Sequence, residues 1–322
     1  TQITPNIRYK LDRLTFNLGS QISVLDNKNN EDLRLVPDAS SLNIGPYFIL
    51  DYEKNNFGYN SGIRYDYKSL KSEDKISNVI YDNEFSNTSF STGVFYKFND
   101  NVFRLTYSGA FRAPHFSELF SDGVHHGTNR YELGNQNLDI EYASQYEFKY
   151  QWSNEHFGFV LNPFLQNISD FISIVPTDSF INSFRVYNYM QYNKVEIKGV
   201  EINLHYHPHQ LHNLHFEQSY SFLQTINKDD QYGLALVPAN SIKTNILFDF
   251  NEYERLVKYK LDYFSLFHIY KFSQEYFAEY EELTKSYNLI NLQLGLKFND
   301  KLLCSIGLNN LFNKQYSPHT SR

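Results

Sequence analysis

Gln145-Tyr146-Glu147-Phe148-Lys149-Tyr150-Gln151-Trp152 sets four aromatic side chains against four polar ones in strict alternation. Successive side chains of a strand point to opposite faces, so this stretch carries one greasy face and one wet face. The pattern recurs on either side of it. Phe57, Tyr59, Ser61, Ile63, Tyr65 and Tyr67 oppose Gly58, Asn60, Gly62, Arg64, Asp66 and Lys68. Phe103, Leu105, Tyr107, Gly109 and Phe111 oppose Arg104, Thr106, Ser108, Ala110 and Arg112. Near the end, Ile290, Leu292, Leu294, Leu296 and Phe298 oppose Asn291, Gln293, Gly295 and Lys297. Helical periodicity is nearly absent.

The alternation predicts about thirteen strands, near residues 8–25, 43–53, 57–68, 87–98, 102–112, 141–152, 157–175, 184–206, 212–224, 241–250, 255–270, 286–298 and 302–309. Nearly all reach the roughly 9–11 residues that a tilted membrane strand needs. Their connections sort by length. Short ones fall at 54–56, 99–101, 153–156, 207–211, 251–254 and 299–301; long ones fall at 26–42, 69–86, 113–140, 176–183, 225–240 and 271–285. Successive connections of an up-and-down barrel lie at opposite ends, and outer-membrane barrels keep short turns on the periplasmic side. A Greek-key sandwich has no reason to sort its links this way. The expected fold is therefore all-β, an antiparallel up-and-down transmembrane β-barrel.

Composition agrees. The chain has 322 residues, a net charge of −7, 27 Tyr and 28 Phe, but one Met and one Trp. Aromatics suit a pleated, half-buried surface and the interfacial girdles of a barrel. A polar lumen explains a mean hydropathy of −0.51 in a membrane protein. No apolar run is long enough for a membrane helix. The single cysteine, Cys304, excludes an internal disulfide; it shares the lipid face with Leu302, Ile306 and Leu308. The acidic balance argues against nucleic acid as a partner. No phosphate loop, His-Glu-x-x-His or Gly-x-Ser-x-Gly motif points to an enzyme.

Three stretches carry a resemblance. Phe111-Arg112-Ala113-Pro114, then Glu118, Gly134-Asn135 and Glu141, resembles the barrel of TonB-dependent outer-membrane receptors. So does Gly199-Val200-Glu201 within a long strand, and so does Asn310-Leu311-Phe312-Asn313-Lys314-Gln315-Tyr316 near the end. The resemblance implies a 22-stranded barrel closed by an N-terminal plug, with residues 1–322 as a partial barrel domain. On that reading the plug, the first strands and the final strand lie outside the chain. It also implies active uptake of a ferric siderophore or other iron complex, driven by the TonB–ExbB–ExbD complex, with no intrinsic cofactor. Zinc or haem uptake is the alternative, and a passive porin or an outer-membrane enzyme are rivals of other classes.

Two histidine clusters compete for attention. His125 and His126, with Glu118, Asp122 and Glu132 nearby, sit in a long loop where ligand arrives. Imidazoles and carboxylates can ligate zinc, and one imidazole can ligate haem iron. His205, His207, His209, His212 and His215 surround a short connection on the periplasmic side, where they read as a polar turn. For Arg112, Glu118 and Glu141, pairing within the barrel is the structural reading, while Pro114 ends the strand and Gly134-Asn135 makes a turn.

Overall fold

The alternating stretches become strands that each pair antiparallel with the next, because a membrane wall must satisfy every backbone N–H and C=O internally. The computed structural model describes residues 1–28, 35–74, 79–250, 260–298 and 302–321. The elements are β1 (Gln2–Ile3), β2 (Asn6–Leu11), β3 (Leu14–Asn27), β4 (Asp38–Lys54), β5 (Phe57–Asp74), β6 (Val79–Phe98) and β7 (Asn101–Arg112). A loop holding α1 (Phe116–Phe120), β8 (Asp122–His125) and β9 (Arg130–Leu133) follows. Then come β10 (Glu141–Ser153), β11 (Phe157–Ile181), β12 (Phe184–Tyr206), β13 (Leu214–Asn227), β14 (Ser241–Asp249), β15 (Lys260–Lys271), β16 (Tyr287–Phe298) and β17 (Leu302–Leu308).

The wall runs from β2 to β7, crosses to β10 and continues to β17. Strands β1 and β2 both pair with β3, so Thr4-Pro5 interrupts a single strand. With the β8–β9 hairpin set aside, the described residues form fourteen wall strands of an up-and-down transmembrane β-barrel.

Two expectations are corrected. The stretch 8–25 is not one strand but a hairpin, β2 to β3, reversing at Asp12-Arg13 with Asp12 at φ 49°. Asn55 and Asn99 take the same left-handed conformation in the short turns after β4 and β6, a region that Asn and Asp tolerate better than most residues. The stretches 69–86 and 176–183 are not open loops either. Strands β5 and β6 run on to Asp74 and Val79, and β11 and β12 meet at the two-residue turn Asn182-Ser183. One face of these extensions packs on the folded-in loop, through Leu70, Phe85 and Val186, instead of facing lipid, so the ladder continues while the hydrophobic alternation stops. The expected turns at 251–254 and 299–301 lie outside the described residues.

The apolar face points outward. Ile63, Tyr65, Phe103, Leu105, Tyr146 and Phe148 are all exposed, as lipid-facing groups must be. Cross-strand neighbours stack there, with Tyr107 and Tyr146 rings 4.6 Å apart and Phe103 and Tyr150 rings 5.0 Å apart. Such pairs contribute about 0.2–1 kcal/mol each. The wet face carries the polar partners. Arg64 Nε donates to Asp66, and Arg64 Nη1 donates to Gln21 across the sheet at 3.1 Å.

The buried core gathers at the long-loop rim. Helix α1 drops Phe116, Leu119 and Phe120 against Leu70, Phe85, Leu138 and Ile172. A second cluster joins Ile168 and Val195 to Leu234 and Val237 of the loop after β13.

Candidate functional site

Functional side chains concentrate at the two rims. At the loop rim the segment 113–140 is clamped from several directions. Pro114 is fully buried and its carbonyl accepts from Lys68 Nζ at 2.8 Å. His115 caps α1, with Glu118 closing the reciprocal capping box. Burial, with Lys68 nearby, holds the His115 imidazole below its ordinary pKa. Arg112 reaches two carboxylates: its Nε donates to Glu141 and its Nη1 to Glu118 at 2.8 Å. Glu141 also accepts from the backbone N–H of Ile172 on the neighbouring strand. Phe111 stands opposite Tyr142 where the ladder enters this network.

Beyond α1 the chain makes the β8–β9 hairpin, and β9 lies parallel on the extension of β12, Tyr131 to Leu133 beside Val186 to Asn188. This docking buries Glu132 to 2% exposure. Its carboxylate accepts from Arg130 Nε at 2.8 Å and from the Tyr189 hydroxyl at 3.0 Å. Asp122 accepts from the Tyr131 hydroxyl at 2.7 Å. Desolvation, then that hydrogen bond, pushes the Tyr131 pKa up to about 12. After the hairpin the chain crosses α1. A Cβ on Gly134 would lie 2.5 Å from the Leu119 carbonyl carbon, so only glycine passes here. The Gly134 N–H donates to Ser121 and the Asn135 N–H to the Glu118 carbonyl.

The hairpin tip holds His125 and His126. His125 Nδ1 is 3.0 Å from Thr128 Oγ1, and His126 is exposed. The structure does not gather these imidazoles with Glu118, Asp122 and Glu132 into a ligand set. Those carboxylates sit at the base of the loop, engaged by arginines, tyrosines and backbone. Beside them a cleft of about 280 Å³ is lined by Tyr81, Leu119, Phe120, Leu133 and Gln136 among others, with Tyr81 and Phe120 stacked at 5.1 Å.

A second loop-rim knot escaped the sequence reading. Glu281 accepts from the N–H groups of Leu236 and Ala278, and His319 Nε2 lies 3.1 Å from its Oε2. His319 Nδ1 is 2.8 Å from Thr284 Oγ1. Both side chains are essentially inaccessible, so one carboxylate ties two loops to the segment after β17. A further backbone crossing sits beside it: a Cβ on Gly233 would lie 2.5 Å from the Tyr276 carbonyl.

The remaining motif residues are structural in placement. Gly199 packs under the Phe164 ring, and Glu201 pairs in register with Asn162 and Ser221. Asn310, at φ 53°, clasps Lys314 through both side-chain atoms. The Leu311 N–H donates to Ile290, Tyr316 sits against Tyr287, and Phe312 is exposed.

At the turn rim, the connection after β12 meets the one after β10. His207 N–H donates to the His156 carbonyl at 2.9 Å. The rings follow: His156 lies 5.0 Å from His207, 4.8 Å from His209 and 5.8 Å from His212. His205, His207 and His215 form a triangle with centroids 5.5–5.6 Å apart. Desolvation, then the surrounding imidazoles, lowers the His207 pKa below its ordinary value. Among the described residues, the groups of three or more metal-ligating side chains converge only here, as His156–His207–His212 and His205–His207–His215. The sequence reading placed five of these six in a turn but missed His156.

Comparison with known proteins places this geometry. The profile of the family described as TonB dependent receptor-like, β-barrel matches residues 6–311. By sequence alone, no curated protein matches. Among solved structures, the fold is similar to the copper transporter OprC, with a TM-score of 0.82 at 14% identity, over 99% of this chain and 51% of that one. It is also similar to the FrpB iron transporter from Neisseria meningitidis (F3-3 variant), with a TM-score of 0.73 at 15% identity, over 100% and 52%. The siderophore receptor PirA from Acinetobacter baumannii gives a TM-score of 0.70 at 17% identity, over 99% and 51%. The chain thus spans about half the length of the structures it resembles. With its up-and-down antiparallel wall, outward aromatic face and clamped loop rim, the chain belongs to the TonB-dependent receptor β-barrel family of the Gram-negative outer membrane.

Proposed function

We infer that the whole protein is a TonB-dependent receptor that takes up a ferric siderophore or other iron complex, driven by the TonB–ExbB–ExbD complex. One observation carries the choice of ligand class. The carboxylates of loop 113–140 are spent on Arg112, Arg130, Tyr131 and Tyr189, so they offer no ready cage for a bare cation. What this rim offers is a stiff ledge with stacked aromatics, a small cleft and exposed hydrogen-bonding groups. An organic complex that arrives with its iron already ligated suits such a surface.

A second reading rests on the tip of the hairpin. His125 and His126 stand clear of the carboxylates and could ligate a zinc ion or haem iron from outside. Growth of a deletion strain separates the two. On the iron-complex reading, growth fails when iron is supplied only as the cognate ferric complex, and a gene carrying His125→Ala with His126→Ala restores it. Normal growth on every ferric siderophore, with failure under zinc or haem limitation that the double variant cannot rescue, would replace that reading by the second.

A further inference from the structure

We propose that the turn rim holds a binding site for one divalent ion of the zinc, copper and nickel group, assembled from His156, His205, His207, His212 and His215. The fold, not the local sequence, builds it. Strands β12 and β13 pair His205 with Glu217. Carrying that register one step past the strand ends sets His207 opposite His215 on the same face. Strand β11 pairs Gly158 with His205, which brings the end of the preceding turn, and with it His156, alongside. His156 and His207 are 51 positions apart in the chain, yet a backbone hydrogen bond joins them.

The spacing of donor atoms fits a small ion. Each triad offers one nitrogen per ring, all within 4.8 Å of one another. His205 Nε2 and His207 Nδ1 are 3.3 Å apart. Nitrogens bound to one tetrahedral zinc at about 2.0–2.1 Å stand about 3.3–3.4 Å from each other. A second observation points the same way. His156 Nδ1 is buried and makes no hydrogen bond, which is unusual for a ring nitrogen out of water. Glu217 Oε1 stands 3.7 Å from His205 Nδ1, placed to orient that ring as outer-shell carboxylates do. Imidazole donors without thiolate or a carboxylate ring favour zinc, copper or nickel over magnesium or calcium. His207 belongs to both triads, and a neutral imidazole has one free ring lone pair, so the site holds one ion at a time.

The inference does not depend on which ligand the receptor imports, because it concerns the opposite rim and is tested by equilibrium binding. Full-length receptor in detergent is titrated with Zn²⁺ against a chromophoric chelator, and with Co²⁺ followed by visible absorption. One ion per chain and a tetrahedral nitrogen-type cobalt spectrum are expected. His207→Ala should weaken binding by at least the roughly 10–100-fold that even outer-shell changes produce. The double variant His156→Ala/His205→Ala takes one ligand from each triad and should match it. His209→Ala, which removes an exposed ring outside both triads that is hydrogen-bonded to His156, should weaken binding clearly less than His207→Ala. Far-UV circular dichroism confirms that each variant is folded. Equal losses for His209→Ala and His207→Ala, or no stoichiometric ion in the wild type, would overturn the proposal and leave only an adventitious histidine-rich turn.

Discussion

The two rims solve the problem of a charged or polar cluster in opposite ways. At the loop rim every prominent carboxylate has a cation or a donor: Glu118 and Glu141 hold Arg112, Glu132 holds Arg130 and Tyr189, and Glu281 holds His319. At the turn rim six imidazoles face mainly one another. The first arrangement is complete in itself and builds a scaffold. The second leaves lone pairs converging on shared space, which is the condition for taking up a cation. Nearness in sequence favours His125, His126, Glu118, Asp122 and Glu132 as a ligand set, but the loop fold spends the acids on its own support.

That contrast can be broken by mutation. The largest effect is expected from Glu281→Ala, which strands a buried imidazole and two buried amides. Removing one partner of a buried pair costs about 3–5 kcal/mol. Hydrogen exchange should show that cost as lost protection in segments 233–237 and 276–284, with the wall strands unchanged; unaltered protection there would show that the knot does not hold the loops. Next, zinc at about 100 times its Kd should stabilise the wild type against denaturant by about 2.7 kcal/mol and should not stabilise His207→Ala. Glu132→Gln keeps the shape but removes the charge facing Arg130. Hydrogen bonds to charged groups contribute about 1.5–3 kcal/mol, so limited proteolysis should cut the β8–β9 hairpin faster, while zinc affinity stays as in the wild type.

The smallest effect is that of pH. A depressed His207 pKa means the folded rim binds fewer protons than the unfolded chain below pH 6.5. The stabilisation is therefore present above that value and fades as pH falls through the folded pKa. Zinc affinity should fall in the same direction, since ligands must be neutral. Chelator competition at pH 7.5 and pH 5.5 checks the sign, and an affinity that rose on acidification would contradict it.

The fold was legible wherever one face met lipid and the other met the lumen. Strands β5, β7, β10 and β16 announce themselves by alternation. The sequence was silent where that asymmetry ends. The outer reaches of β5, β6 and β12 bury Leu70, Phe85 and Val186 against the loop rim rather than turning an apolar face to lipid, so nothing in Ser69 to Ser72 or Thr177 to Ile181 distinguishes ribbon from loop. The turn at Asp12-Arg13 hides because Lys10 to Thr15 holds no glycine or proline to mark a reversal. At the sites, local motifs such as Arg112 with Glu118 could be foreseen. Contacts set by register could not, and His156 against His207 or Glu281 against His319 emerge only once the strands are aligned.

The crossings at Gly134 and Gly233 divide the exterior into what can change and what cannot. Each is a place where two backbones touch with no room for a methyl group, whereas the tip from Gly127 to Asn129 is exposed and touches little else. An epitope or fluorophore tag spliced between Gly127 and Asn129 should leave the receptor's surface architecture standing. The same insert one short strand later, at Gly134, would pry the ledge from the wall.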